Sequence, residues 1–345
     1  MKTINCISLF LPILLTSLLL LFYTIASFPS SPHTVTTVHH SLAALPEACI
    51  SWKIYPEDFY EGGAYVTLPQ GKTRYWIMGP ENSGQKIVLI HGLSIPSMVY
   101  KNVAPALASK GYRVLLYDLY GRGYSDAPQV TYDTALYATQ LALLMQHVRW
   151  EKANIVGVSM GAGIGVAVAD LFPHLVSGKV ALIAPAGLLE SGDISRTVKF
   201  MSSPLIQDIT SSFPFRVYMQ HLANTSESTL SSDPIHEIVR LQSAHLPGYN
   251  RALASSIRSG PIRGQERSFA ALGQSGRDVL LIHGTADRTV PYKHASTIQA
   301  LIPNAQLVTV DGAGHDLTVT HSDLVANALL TFFATRESWV PKFFQ

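Results

Sequence analysis

Six short apolar bursts punctuate the chain: Lys86–His91, Tyr112–Asp118, Ala153–Val158, Lys179–Ile183, Asp278–His283 and Ala305–Val310. Each is close to continuous Val, Ile, Leu or Ala, without the polar alternation of a strand that has one wet face. Such runs predict strands buried on both faces, as in a parallel sheet covered by helices. Between them, Tyr100–Lys110, Tyr132–His147, Gly161–Phe172, His294–Leu301 and Ser322–Thr335 carry apolar residues at helical spacing. The alternation predicts an α/β layered fold with a mostly parallel, doubly wound sheet and right-handed crossovers.

This rhythm stops between about residues 188 and 273. That stretch has no strong buried-strand run, and amphipathic pieces such as Ser195–Met201, Phe215–His221 and Ile235–His245 stand among Ser, Pro and Gly. It reads as a helical cap inserted over the C-terminal edge of the sheet, where open α/β sheets bind ligands. At the other end, residues 7–26 are an almost unbroken apolar run. A run of about 18 or more such residues spans a bilayer, which predicts an uncleaved single-pass anchor. Lys2 and the amino terminus are the nearby positive charges, so the rest of the chain is expected to be lumenal or extracellular. The alternative is a cleaved secretory signal ending at Ile25-Ala26-Ser27 and a secreted protein. The organisation read from the chain is thus an anchor or signal over 1–27, a Ser/Pro/Thr/His-rich linker over 28–48, and one domain over 49–345.

Composition narrows the functions. With 345 residues, 47% of them hydrophobic, the chain can bury a large core without cross-links. Of its two cysteines, Cys6 lies in the apolar run, so Cys49 has no partner for an intradomain disulfide. A formal charge of +2 with no basic block argues against nucleic acid as a partner. The thirteen histidines show no metal-ligand spacing, so no metal and no cofactor is expected. Asn224-Thr225-Ser226 is a glycosylation sequon, consistent with a lumenal location.

The chemistry concentrates at Gly157-Val158-Ser159-Met160-Gly161, which follows a strand and precedes a small-residue helix. This is G-x-S-x-G in strand–turn–helix context, a turn that lifts a serine hydroxyl out of the sheet. The serine then sits at a helix N-terminus, where backbone N–H groups can stabilise an oxyanion. A nucleophilic serine needs a base, and the base an orienting acid. Asp287 follows the strand Asp278–His283, and His315 follows Ala305–Val310 in Asp311-Gly312-Ala313-Gly314-His315; both fall at the sheet edge that carries Ser159. Asp311, Asp316 and Asp126 remain rivals for the acid. The exit of the first strong strand, His91-Gly92-Leu93-Ser94, offers the Leu93 N–H as a second oxyanion donor beside that of Met160. His91 and His283, each ending a buried strand before a glycine, read as structural hydrogen-bonding groups. The segment Asp118–Asp126 matches no phosphate-binding motif and reads as a turn held by Arg122 and Asp126.

Together, HG after the first core strand, D-x-x-G-x-G-x-S-D, G-x-S-x-G, H-G-x-x-D-x-x-x-P and G-x-G-H resemble the α/β-hydrolase-1 family over about residues 84–335. The flavour is that of monoacylglycerol lipases and meta-cleavage-product hydrolases with a helical cap. The resemblance implies the triad Ser159, Asp287 and His315, in the chain order of that fold, and an oxyanion hole from Leu93 and Met160. Serine at the elbow, where epoxide hydrolases and dehalogenases of this fold carry Asp, favours acyl transfer to water. Leu93-Ser94-Ile95-Pro96 departs from the glycine-rich continuation usual in meta-cleavage enzymes. The expected activity is therefore a serine hydrolase acting on a carboxylic ester with an apolar or lipid-like acyl group. A C–C hydrolase or thioesterase, and a non-catalytic ligand-binding homologue, are the alternatives. Cap residues such as Phe200, Met201, Phe215 and Tyr218 read first as cap packing and second as a substrate wall.

Overall fold

The computed structural model describes residues 14–21, 37–203, 206–207, 209, 212, 217–218 and 233–334. The chain divides into two units, Met1–Thr37 and Val38–Gln345. In the first, the described residues form one helix over 14–21. Among the described residues no helix is long and apolar enough to cross a membrane. The expected single-pass anchor is corrected accordingly. The candidate cleavage site at Ile25-Ala26-Ser27, the sequon at Asn224, and Phe215 of the expected cap lie outside the described residues.

The second unit is built on an eight-stranded sheet. Its strands are β2 (Gly63–Leu68), β3 (Gly71–Met78), β4 (Lys86–Ile90), β5 (Arg113–Tyr117), β7 (Ala153–Val158), β8 (Val176–Ile183), β9 (Asp278–Gly284) and β10 (Gln306–Val310); β1 (Val38–His39) and β6 (Ala127–Pro128) pair separately. The order is β10-β9-β8-β7-β4-β5-β3-β2. All neighbours run parallel except β2–β3 and β3–β5. The central strands bury both faces: every residue of β7 is buried, as are Ile87 to Ile90 of β4. Two apolar clusters follow, one on each side of the sheet. Helices Thr134–His147, Met160–Leu171 and Glu266–Gln274 contribute to one, and Val103–Ser109 and Ser322–Ala334 to the other.

Between β8 and β9 the described residues hold the helices Arg196–Met201, Pro234–His245, Tyr249–Ser259 and Glu266–Gln274, with no strand among them. Two of these grip the loops at the C-terminal edge of the sheet. Gln242 Oε1 accepts the Gly123 N–H at 2.7 Å, and the Tyr249 hydroxyl donates to the Ser94 carbonyl at 2.9 Å. Residues from Val38 onward, within the stretch read as a linker, belong to the second unit. Leu42 is fully buried and donates its N–H to the Gly123 carbonyl, and the Tyr55 hydroxyl donates to Asp118 at 3.1 Å. Asp118, buried beneath them, also accepts the N–H groups of Ser97 and Tyr124. Burial pushes its carboxyl up to about 6, with these hydrogen bonds opposing the shift.

Candidate active site

Ser159 joins the end of β7 to the helix Met160–Leu171 and adopts φ 56°, ψ −123°. Residues with side chains rarely occupy that region, and it persists only where surrounding bonds enforce it. Here the Ser159 N–H donates to the Ile183 carbonyl, and the Ser159 carbonyl accepts from Ala162 and Ala186. The turn is also too tight for Cβ atoms on its flanks. A Cβ at Gly157 would lie 2.4 Å from the Gly161 oxygen, and one at Gly161 would lie 2.1 Å from the Ile90 oxygen. Both obstacles are backbone atoms and cannot swing aside. Gly161→Ala is therefore expected to force β4 and the elbow apart, lowering turnover at least about 100-fold together with the melting temperature. Steady-state assays and thermal denaturation of that variant check both effects.

His315 bridges the hydroxyl and the carboxylate. Its Nε2 lies 2.9 Å from Ser159 Oγ and its Nδ1 lies 2.8 Å from Asp287 Oδ2. Asp287 Oδ1 accepts the N–H groups of Thr289 at 2.8 Å and Val290 at 2.9 Å. Burial pushes the Asp287 carboxyl up, but the donors from His283, His315 and Val290 outweigh it and hold it below the ordinary carboxylate range. An ionised Asp287 places the Nδ1 proton on His315 and leaves Nε2 as the acceptor facing Ser159. The rival acids have other surroundings. Asp311 accepts from Thr285 Oγ1, Asp126 accepts the Lys72 N–H, and Asp316 is exposed beside the cavity.

The loop after β4 comes against the serine from the other side. A Cβ at Gly92 would stand 3.3 Å from Ser159 Cβ, so the backbone at residue 92 abuts the Ser159 side chain. His91, fully buried, donates from Nδ1 to the Gly92 carbonyl at 2.9 Å and accepts the Leu119 N–H on Nε2 at 2.9 Å. Burial lowers its pKa to about 3, against the pull of the Gly92 carbonyl and with help from Arg122. A neutral ring is what these two bonds require. Because the peptide is planar and trans, holding the Gly92 carbonyl toward His91 turns the Leu93 N–H to the opposite side. Arg122 Nε fixes the next carbonyl, that of Leu93, at 2.8 Å. The second N–H, that of Met160, opens its helix and has no intrahelical acceptor.

A cavity of about 360 Å³ opens over Ser159 and His315. Its apolar wall includes Ile95, Val99, Leu189, Val239, Ile262 and Val319. Asp233, His236 and Asp316 supply the charged or titratable groups besides His315, with His236 Nδ1 3.0 Å from Asp233 Oδ2. No Lys or Arg is among the described residues that line it. Sequence reasoning missed the groups that hold these loops from afar: Tyr249 and Gln242 from the cap, and Tyr137 and Ser256, which bond the Arg122 guanidinium. Nothing local in the sequence signals them, because their partners lie from 15 to more than 150 positions away. Among the described residues no group of His, Cys, Asp and Glu is arranged to hold a metal ion.

Known proteins agree with this architecture. A 2-hydroxymuconate semialdehyde hydrolase of Pseudomonas sp. is 26% identical over 265 residues, covering 74% of this chain and 89% of that protein. A non-heme chloroperoxidase of Streptomyces lividans is 27% identical over 282 residues, 77% and 98% of the two chains. The crystal structure of a hydrolase from Pseudomonas aeruginosa superposes with a TM-score of 0.63 at 19% identity, over 80% of this chain and 99% of that one. A model of the alpha/beta hydrolase fold matches residues 86–322, more than half of the sequence. The chain belongs to the α/β-hydrolase family.

Proposed function

We propose that the protein is a serine hydrolase that cleaves carboxylic esters of uncharged, apolar acyl groups through an acyl-enzyme. The observation that carries this reading is the unbroken hydrogen-bonded path from Asp287 through His315 to Ser159 Oγ at the floor of an apolar cavity. In the mechanism it supports, Oγ attacks the ester carbonyl carbon while His315 Nε2 takes the hydroxyl proton. The carbonyl oxygen becomes an oxyanion facing the N–H groups of Leu93 and Met160. When the C–O bond to the leaving group breaks, His315 returns the proton to the departing alcohol. Water then loses a proton to His315 as it attacks the acyl carbon, and the carboxylic acid leaves with Ser159 restored. Asp287 orients the ring and stabilises its charge throughout.

A C–C hydrolase is the second reading, favoured by the likeness to the 2-hydroxymuconate semialdehyde hydrolase. A muconate carries a carboxylate, and burying that charge calls for a cation or equivalent donors. The described lining offers acidic groups and no Lys or Arg, which supports the neutral ester instead. A series of p-nitrophenyl esters separates the two readings. Hydrolysis of the butyrate ester is expected to exceed that of the glutarate half-ester at least about tenfold in kcat/KM, as one desolvated like charge would impose. A preference for the anionic half-ester, or turnover of 2-hydroxymuconate semialdehyde faster than any ester, would overturn the ester reading.

A further inference from the structure

One buried titratable side chain touches the site without a part in the chemistry above. His283, the penultimate residue of β9, is fully buried. Its Nε2 lies 2.9 Å from the Val290 carbonyl and 3.5 Å from Asp287 Oδ2, the same oxygen that accepts from His315. Val290 in turn donates its N–H to Asp287 Oδ1. His283, Val290 and Asp287 therefore close a ring of contacts around the carboxylate, with the Tyr292 ring packed edge-on against the imidazole at 5.5 Å. The opposite nitrogen, His283 Nδ1, is buried and finds no hydrogen-bond partner among the described residues. An orphaned buried acceptor is a cost that an apolar side chain of similar size would not incur. What the imidazole supplies in return is one N–H held at the end of β9 and aimed between the Val290 carbonyl and the carboxylate.

We infer that His283 is a positioning residue for Asp287: its Nε2–H fixes the Val290 loop and shares Oδ2 with His315, setting the carboxylate plane that orients the His315 ring. This rests on the reading of Asp287 as the orienting acid. Asp287 thereby has four donors around its two oxygens, from Thr289, Val290, His315 and His283. The other carboxylates of this edge face elsewhere, Asp311 toward Thr285 and Asp316 toward the cavity. Position in the ring, and not bulk, is what the proposal assigns to the side chain.

The test compares H283Q, which carries an N–H₂ at the Nε2 end of the side chain, with H283N, which carries it at the Nδ1 end, and with H283L, which has none. Turnover of p-nitrophenyl butyrate is expected to fall about tenfold in kcat for H283L and H283N, as a displaced catalytic group would cause. KM stays within about twofold, because no substrate contact is lost, and H283Q recovers most of the loss. A second readout needs no catalysis: the downfield ¹H resonance of the His315 Nδ1 proton, assigned by its absence from the H315Q variant. It is expected to shift or broaden in H283L and H283N and to persist in H283Q. Thermal denaturation identifies any variant that does not fold, and the Gln/Asn pair keeps the comparison available if H283L fails. Equal activity in all three variants with an unchanged resonance, or equal loss in H283Q and H283N, would overturn the proposal. Absence of esterase turnover in the wild type would count against the ester reading alone, since the resonance still reports on the His283 contact.

Discussion

Ser159→Ala is expected to abolish ester hydrolysis, lowering kcat by about 10⁵-fold or more while leaving the fold intact. Loss of a nucleophilic serine in a Ser-His-Asp hydrolase has an effect of that order. Here the geometry gives no substitute: no other hydroxyl is hydrogen-bonded to His315 among the described residues. The strained backbone at φ 56° is enforced by bonds from Ile183, Ala162 and Ala186 to the peptide groups of residue 159, none of which uses the hydroxyl. The variant should therefore melt within a few degrees of the wild type. Residual turnover above about 1% of the wild-type rate, in a folded S159A protein, would mean that the hydrolysing group lies elsewhere.

The second large effect is expected at Asp287. Replacement by Asn keeps the shape but offers one carbonyl oxygen in place of two carboxylate oxygens, and adds donors where donors already converge. Thr289 and Val290 present N–H groups to Oδ1, and His315 and His283 present ring nitrogens to Oδ2. Whichever way the amide turns, its NH₂ meets donors on one side. If the backbone pair keeps the carbonyl oxygen, the NH₂ faces His315 and the ring is driven to carry its proton on Nε2, where it can no longer accept from Ser159. A wrong tautomer of this kind costs about 10⁴-fold in kcat in the chymotrypsin-type triad. The same order is expected here. A D287N variant retaining more than about a tenth of wild-type kcat would assign the orienting role to another residue.

The candidate site was legible in the sequence because the signals for its residues are local. The elbow at Gly157–Gly161, the acid four residues after His283 and the histidine after Gly314 each follow a strand read from a continuous apolar burst. Those bursts match β4, β5, β7, β8, β9 and β10 to within a few residues at their ends; the central β7 is buried on both faces, whereas the edge strand β10 is mostly half-buried or exposed. The hairpin β2–β3 escaped notice for the opposite reason. Gly71–Met78 opens on the polar run Lys72-Thr73-Arg74 before Tyr75 and Trp76, and the buried Arg74 donates a hydrogen bond to the Glu57 carbonyl 17 positions away. The cap helix Tyr249–Ser259 was hidden similarly, because its inward face carries Ser255 and Ser256, satisfied by the Tyr132 N–H and by Arg122 and Tyr137. Polar positions that are buried only through distant partners leave no periodic trace. The apolar run over residues 7–26 misled for a simpler reason. Hydropathy reports the cost of exposure to water, whereas spanning also requires helical length, and among the described residues no helix is long and apolar enough to cross a membrane.

The central claim is that Ser159 is the acyl-accepting nucleophile. Labelling of the intact protein with a fluorophosphonate, followed by mass spectrometry of its peptides, tests it most directly. A single phosphonyl adduct is expected on the peptide containing Ser159, absent in S159A and slowed in H315Q. A folded, unlabelled wild type, or an adduct mapping to any other serine, would contradict it.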